Sequence, residues 1–245
     1  MKSIIETNNL TKKFGNQNAL DNVNISVNKG DIYGLVGRNG AGKTTFMKLI
    51  SGLSFPTAGE ISLLGVSSKS GGSLPFSKIG SLIETPSFFT NMSARDNLKL
   101  KCICCGIEDS DKYIVSLLDV VDLGNVNNKK VRNFSLGMKQ RLGLAMALIG
   151  EPDLLILDEP INGLDPQGIA EMRKLILKIN HEKDVTIIIS SHILSELSKV
   201  ATRYGILEQG KLIYENSCEE LERECAAQNL SLEDFYFRIT GVEGN

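Results

Sequence analysis

The chain has 245 residues, the size of one ordinary domain or of a domain with a subdomain, and 42% of them are apolar, enough for a sizeable core. Its net charge is only -2 with no basic run or stripe, which speaks against a nucleic-acid partner. No apolar stretch reaches the roughly 18 residues that span a bilayer, and the opening MKSIIETNNLTKKF lacks the apolar segment of a signal peptide, so the chain is read as cytosolic.

The first quarter reads as strands. Ile4-Ile5, Val23 to Val27 and Ile32 to Val36 alternate or run apolar between turn residues. EISLLG at 60–65 is a further short strand and KIGSLIE at 78–84 a buried one. From Ser93 the pattern turns helical. Ser93 is a helix N-cap for ARDNLKLKCICCG, and Asp109 or Ser110 starts a second helix through KYIVSLLDVV. DLLILDE (153–159) and VTIIISS (185–191) are continuous apolar runs, the pattern of central parallel strands covered on both faces by helices. RYGILEQGKLIYEN closes as a hairpin at Gln209-Gly210, and an amphipathic helix follows over about 217–240. These elements predict an α/β core with antiparallel strands at the N-terminus, interrupted by a helical block at about 93–150.

Five cysteines (Cys102, Cys104, Cys105, Cys218, Cys225) are an odd number for a cytosolic chain and argue against a disulfide framework. The run CICC has neither a second CxxC nor a nearby His, and lies in a predicted helix, so it is read as helix packing rather than a metal cluster.

The chemistry concentrates at GRNGAGKTT (37–45), which fits the phosphate-loop pattern and stands between a predicted strand and a predicted helix. Gly37, Gly40 and Gly42 let the backbone of Arg38, Asn39 and Ala41 curl its N–H groups toward phosphate oxygens. Lys43 reaches the β/γ-phosphates, the Thr44 hydroxyl ligates Mg²⁺, and the helix from Thr44-Thr45 aims its positive end at the same phosphates. A second acidic pair, Asp158-Glu159, ends the strand LLIL, and ligands in open α/β sheets collect at the carboxyl ends of strands. Asp158 is assigned to Mg²⁺ and Glu159 to the attacking water; His192, after the strand VTIIISS, is a donor to the γ-phosphate. In FSLGMKQR (134–141), Ser135 caps a helix whose open first turn is a second anion-ready start.

Together these motifs resemble the ATP-binding subunit of ABC transporters over nearly the whole chain. GRNGAGKTT looks like Walker A, LLILDE like Walker B, FSLGMKQR like the ABC signature, NGLD (162–165) like the D-loop, and Ser191-His192 like the H-loop. The motif order also excludes a GTP-binding switch protein, since no guanine-reading motif is found. Two departures stand out. Phe134, Leu136 and Met138 replace residues of the usual LSGGQ, while Ser135 and Gly137 remain, and Glu84 stands at the Q-loop glutamine.

The resemblance implies a P-loop NTPase of the ABC type: a single ATP-binding domain over 1–245, a mixed sheet core with N-terminal antiparallel strands, a helical subdomain insertion at about 93–150, and a helical tail over about 217–245. It further implies that Phe14 stacks on adenine, that Ser135 and Gly137 contact the γ-phosphate held by a second subunit, that Asp165 belongs to the same composite site, and that Glu84 joins Thr44 and Asp158 around Mg²⁺. Two such chains, as a homodimer, would sandwich two ATP molecules and drive an integral membrane permease on a separate chain, from the inner face of the cell membrane. Glu84, SLGMKQRLGLA and EPINGLDP are similar to ATP-binding subunits of bacterial exporters of the bacitracin-resistance and lantibiotic-immunity type. A soluble ABC ATPase of iron–sulfur assembly is the alternative.

Overall fold

The computed structural model describes residues 2–70, 73–84, 86–126 and 128–241. Two compact units are formed, one from Met1–Phe76 with Thr186–Asn245 and the other from Ser77–Val185.

In the first unit, β1 (Ser3–Phe14) is antiparallel to β2 (Gln17–Val23), β3 (Ser26–Asn28) and β5 (Ala58–Leu63), and β6 (Val66–Ser67) pairs with β5. Only Ile4-Ile5 is legible as strand here, yet β1 runs for 12 residues. Its polar inward positions are satisfied individually: the Thr7 hydroxyl donates to Val23 O (3.1 Å) and accepts from Ile25 N–H (2.9 Å). The predicted Val23–Val27 run is divided between β2 and β3, with Asn24 Oδ1 turned back to accept from Asn9 N–H (2.7 Å).

The second sheet of this unit centres on β4 (Ile32–Val36), wholly buried and parallel to both β9 (Thr186–Ser191) and β10 (Arg203–Glu208). β10 turns through Gln209 (φ 48°) and Gly210 (φ 79°) into antiparallel β11 (Lys211–Ser217), the hairpin predicted. Helix α1 (Lys43–Ile50) follows the phosphate loop. The tail is two helices rather than one: Ser217 caps α6 (Cys218–Ala227), Asn229 breaks it at φ 52°, and Ser231 opens α7 (Leu232–Thr240) with a capping box to Asp234.

In the second unit, β7 (Ile79–Leu82) and β8 (Leu154–Leu157) are parallel. Four helices accompany them: α2 (Ala94–Cys104), α3 (Asp111–Val120), α4 (Leu136–Ala147) and α5 (Pro166–Lys183). Ser93 caps α2 as predicted, within a capping box in which its hydroxyl and N–H both donate to Asp96 Oδ2. Those bonds hold the Asp96 carboxyl below its usual range. Helix α4 lies so close to β7 that a Cβ on Gly80 would overlap Ala147 O, and one on Gly143 would stand 2.8 Å from Leu82 Cδ1. Of the CICC run, Cys102 packs inward and Cys104 and Cys105 are exposed, so the helix-packing reading holds for one residue of the three.

Candidate nucleotide-binding site

β4 delivers the phosphate loop. Gly37 N–H donates to Ser191 O (3.3 Å), which fixes the loop's start beside the end of β9. Gly37 is a glycine for space, since a Cβ would lie 2.5 Å from Leu207 O. Gly40 (φ 85°) and Gly42 (φ 110°) are glycines for conformation. Ala41 N–H closes a turn onto Arg38 O (3.1 Å), and Ala41 O accepts from Gly210 N–H (3.0 Å), so the β10–β11 turn holds the far side of the loop. The N–H groups of Asn39, Gly40 and Gly42 make no backbone hydrogen bond among the described residues. Gly42 occupies the N-cap of α1 and offers no side chain to the helix start.

Lys43 is buried, and its Nζ donates to Gly37 O (2.6 Å) and Arg38 O (3.2 Å). The ammonium is thus folded back onto two carbonyls of its own loop. A positive helix start, N–H groups without backbone partners, a cation and no acidic side chain from Gly37 to Thr45 make a donor set that fits a polyphosphate.

Two further predicted residues belong to this unit. Phe14 ends β1 at the β1–β2 hairpin and is 59% exposed, with its ring open to stacking. Lys12 Nζ lies 5.1 Å from the ring centroid and donates to Phe55 O (2.7 Å). His192 is exposed and directly follows β9, where Ser191 Oγ accepts from Ile193 N–H (3.0 Å) and turns the chain.

The second unit carries the remaining candidates. Asp158, buried, follows β8, and its N–H donates to Leu82 O (2.8 Å) at the end of β7. Parallel pairing puts Asp158 and Glu84 beyond the same ends of adjacent strands. Glu84 is exposed at φ 60°. Glu159, half-buried, takes φ 50°, so it leaves the chain in a different direction from Asp158. The chain then turns tightly, with Asn162 N–H on Glu159 O (3.1 Å) and Leu164 N–H on Ile161 O (3.3 Å), into Asp165. Asp165 is the N-cap of α5, accepting from Gly168 N–H (2.9 Å) with Pro166 in the first helical position.

Ser135 caps α4, its Oγ accepting from Met138 N–H (3.2 Å). The starts of α4 and α5 line one cavity of about 960 Å³. Leu136, half exposed, leans over the turn before α5: a Cβ on Gly163 would stand 3.1 Å from Leu136 Cδ2, and one on Gly137 3.7 Å from Leu164 Cδ2. Phe134 is buried, with Lys129 Nζ 5.8 Å from its ring centroid, so the aromatic fills an inward position.

The sequence does not show the bonds of Arg141, the bond from Gly210 N–H to the phosphate loop, or the Ala19 carbonyl and Leu20 side chain that crowd Gly42. Each acts through a partner distant in sequence, for which no local pattern exists.

A buried parallel strand, a glycine loop with a folded-in lysine and a helix start define a P-loop nucleotide-binding protein. The family profile described as ABC transporter matches residues 20–162, and the chain belongs to that family. It is 47% identical over 223 residues to the bacitracin transport ATP-binding protein BcrA of Enterococcus faecalis, covering 91% of this chain and 72% of the relative. It is 45% identical over 219 residues to the lantibiotic transport ATP-binding protein SrtF of Streptococcus pyogenes, covering 89% and 93%. Among solved structures, a dimeric post-hydrolysis ATP-binding cassette bound to ADP and Pi superposes with a TM-score of 0.77 at 25% identity, over 87% of this chain and 98% of that one. The protein is an ATP-binding and ATP-hydrolysing subunit of an ABC transporter, with the α/β fold of these cassettes. Subunits of this kind dimerise and work with membrane components. Among the described residues, no helix is long and apolar enough to cross a membrane.

Proposed function

We propose that this chain powers an exporter of antimicrobial peptides, acting through an integral membrane permease on a separate chain and from the inner face of the cell membrane. The likeness to bacitracin and lantibiotic transport ATP-binding proteins over nine-tenths of the chain carries this reading. That likeness favours a transporter motor over an iron–sulfur assembly ATPase. Loss of the gene should lower resistance of its host to a bacitracin-like or lantibiotic peptide. Unchanged sensitivity to a panel of such peptides, with transport of another solute lost, would overturn the substrate.

In this reading residues 1–245 act as one ATP-binding domain, with the helices at about 93–150 as a subdomain and about 217–245 as a tail. ATP is bound by the loop Gly37–Thr45 (Gly37, Arg38, Asn39, Gly40, Ala41, Gly42, Lys43, Thr44, Thr45), with Phe14 stacked on the adenine. Lys43 exchanges its bonds to Gly37 O and Arg38 O for phosphate oxygens. The Thr44 hydroxyl and the Asp158 and Glu84 carboxylates are hard oxygen donors of the kind Mg²⁺ takes, and the ion when bound neutralises charge on the phosphates. Glu159 accepts a proton from the attacking water, and His192 donates to the γ-phosphate. Ser135, Gly137 and Asp165 act on the nucleotide of a second, identical subunit.

The composite site has a direct test. A Lys43→Ala homodimer and a Ser135→Arg homodimer each have both sites damaged. Their heterodimer has one site carrying both lesions and one carrying neither. ATP trapping should reappear on mixing; trapping equal to the average of the parents, with heterodimers shown to form, would refute the composite site.

A further inference from the structure

The side chain of Arg141 is only 13% exposed, yet it carries a guanidinium in the second turn of α4. Its guanidinium reaches three groups from two other segments. Nη1 donates to Asp122 Oδ2 (2.8 Å) and to Val121 O (3.2 Å), both just past α3, and Nη2 donates to Glu171 Oε2 (2.7 Å) on α5. Glu171 is itself held, its Oε1 accepting from Gln167 Nε2 (2.8 Å). The planar fork of arginine fixes direction as well as distance in such a set, and a lysine would not reproduce it.

The two helices joined in this way are those whose starts carry Ser135 and Asp165. One turn nearer those starts, Leu136 lies against Gly163 and Leu164 against Gly137. The pair is therefore tied at two levels, by an apolar contact at the starts and by the Arg141–Glu171 bridge below. We propose that Arg141 is a positioning residue: it holds the Ser135-capped start of α4 at a fixed angle to the Asp165 turn, and so presents that start to the nucleotide of a second subunit. The proposal rests on the assignment of Ser135 to a partner's nucleotide. It also accounts for the leucine at position 136, where the family has glycine, as the apolar half of the same clamp.

The experiment measures ATP-dependent dimerisation of the full chain by sedimentation, beside binding of a fluorescent ATP analogue under monomeric conditions and the melting temperature. Arg141→Ala and Glu171→Gln should weaken dimerisation by roughly 2- to 30-fold, the range for residues that couple sites without touching ligand. Binding of the analogue by the monomer should not change, because the groups Arg141 bonds, Val121 O, Asp122 and Glu171, are not residues assigned to the monomer's own nucleotide. The double variant Arg141→Ala with Glu171→Gln should lose little more than Arg141→Ala alone, because both act through one bridge. Glu171→Gln is the milder variant, since Glu171 is partly exposed and Arg141 keeps Asp122 and Val121 O. Dimerisation unaltered in a folded Glu171→Gln protein, or a loss that follows the melting temperature alone in both single variants, would overturn the inference. Ser135→Arg serves as the reference. If it too leaves dimerisation unchanged, the assignment of Ser135 fails; if it abolishes dimerisation while Glu171→Gln and Arg141→Ala do nothing, only the role of Arg141 fails.

Discussion

Replacing Gly42 or Gly40 by alanine separates two costs that a phosphate loop imposes. Both residues have positive φ, 110° and 85°, and an L side chain in that region costs about 1–2 kcal/mol. Alanine also restricts the unfolded chain, which returns about 0.4–1 kcal/mol. At Gly40 a Cβ would meet no atom within 4 Å, so only these terms act, and Gly40→Ala should destabilise by about 0.5–1.5 kcal/mol. At Gly42 the same Cβ would stand 2.6 Å from Ala19 O and 2.8 Å from Leu20 Cδ2. Neither neighbour yields easily: Ala19 O is backbone, and Leu20 is fully buried. Overpacking of this kind adds about 1–3 kcal/mol, so Gly42→Ala should lose about 2–4 kcal/mol. Urea unfolding of the nucleotide-free protein measures both. Nucleotide affinity should fall as well for Gly42→Ala and stay closer to the parent's for Gly40→Ala, because only at Gly42 must the loop backbone shift to relieve an overlap. Equal destabilisation of the two variants would show that β2 does not constrain the loop.

Glu159→Gln should keep ATP binding and lose turnover by about 10²–10⁴-fold, accumulating an ATP-bound dimer in gel filtration; near-normal phosphate release would remove Glu159 from the general-base role. Glu84→Gln should keep ATP binding but shift the Mg²⁺ dependence of hydrolysis, because an amide oxygen is a weaker ligand than a carboxylate; superimposable Mg²⁺ titrations would show the glutamate to be neutral. Maleimide at neutral pH should label exposed Cys104 and Cys105 first, and Cys102 and Cys225 last. Burial raises the thiol pKa of the latter two, which depletes the reactive thiolate until the pH is raised; mass spectrometry of a time course reads the order.

The phosphate loop, the acidic strand end, the capped starts of α2 and α4 and the hairpin at Gln209-Gly210 were legible in the sequence because each depends on residues within a few positions of one another. Backbone conformation, helix capping and strand burial are short-range, so residue type and spacing carry them. What the sequence hid is set at long range. The twelve-residue β1 owes its length to pairing on both edges, and Thr7 holds its inward position through bonds to Val23 and Ile25. Gly37 reads as a conformational glycine but is required by the approach of Leu207 O. Asp165 reads as part of a loop motif, and the structure shows its carboxylate capping α5. Arg141 sits inconspicuously in an apolar helix, because its partners Asp122 and Glu171 lie 19 and 30 residues away. A local pattern states what a residue can do; which charge or carbonyl it meets is decided only when distant segments are packed at van der Waals distance, where one extra carbon or one unpaired charge costs a sizeable share of the stability of a folded chain.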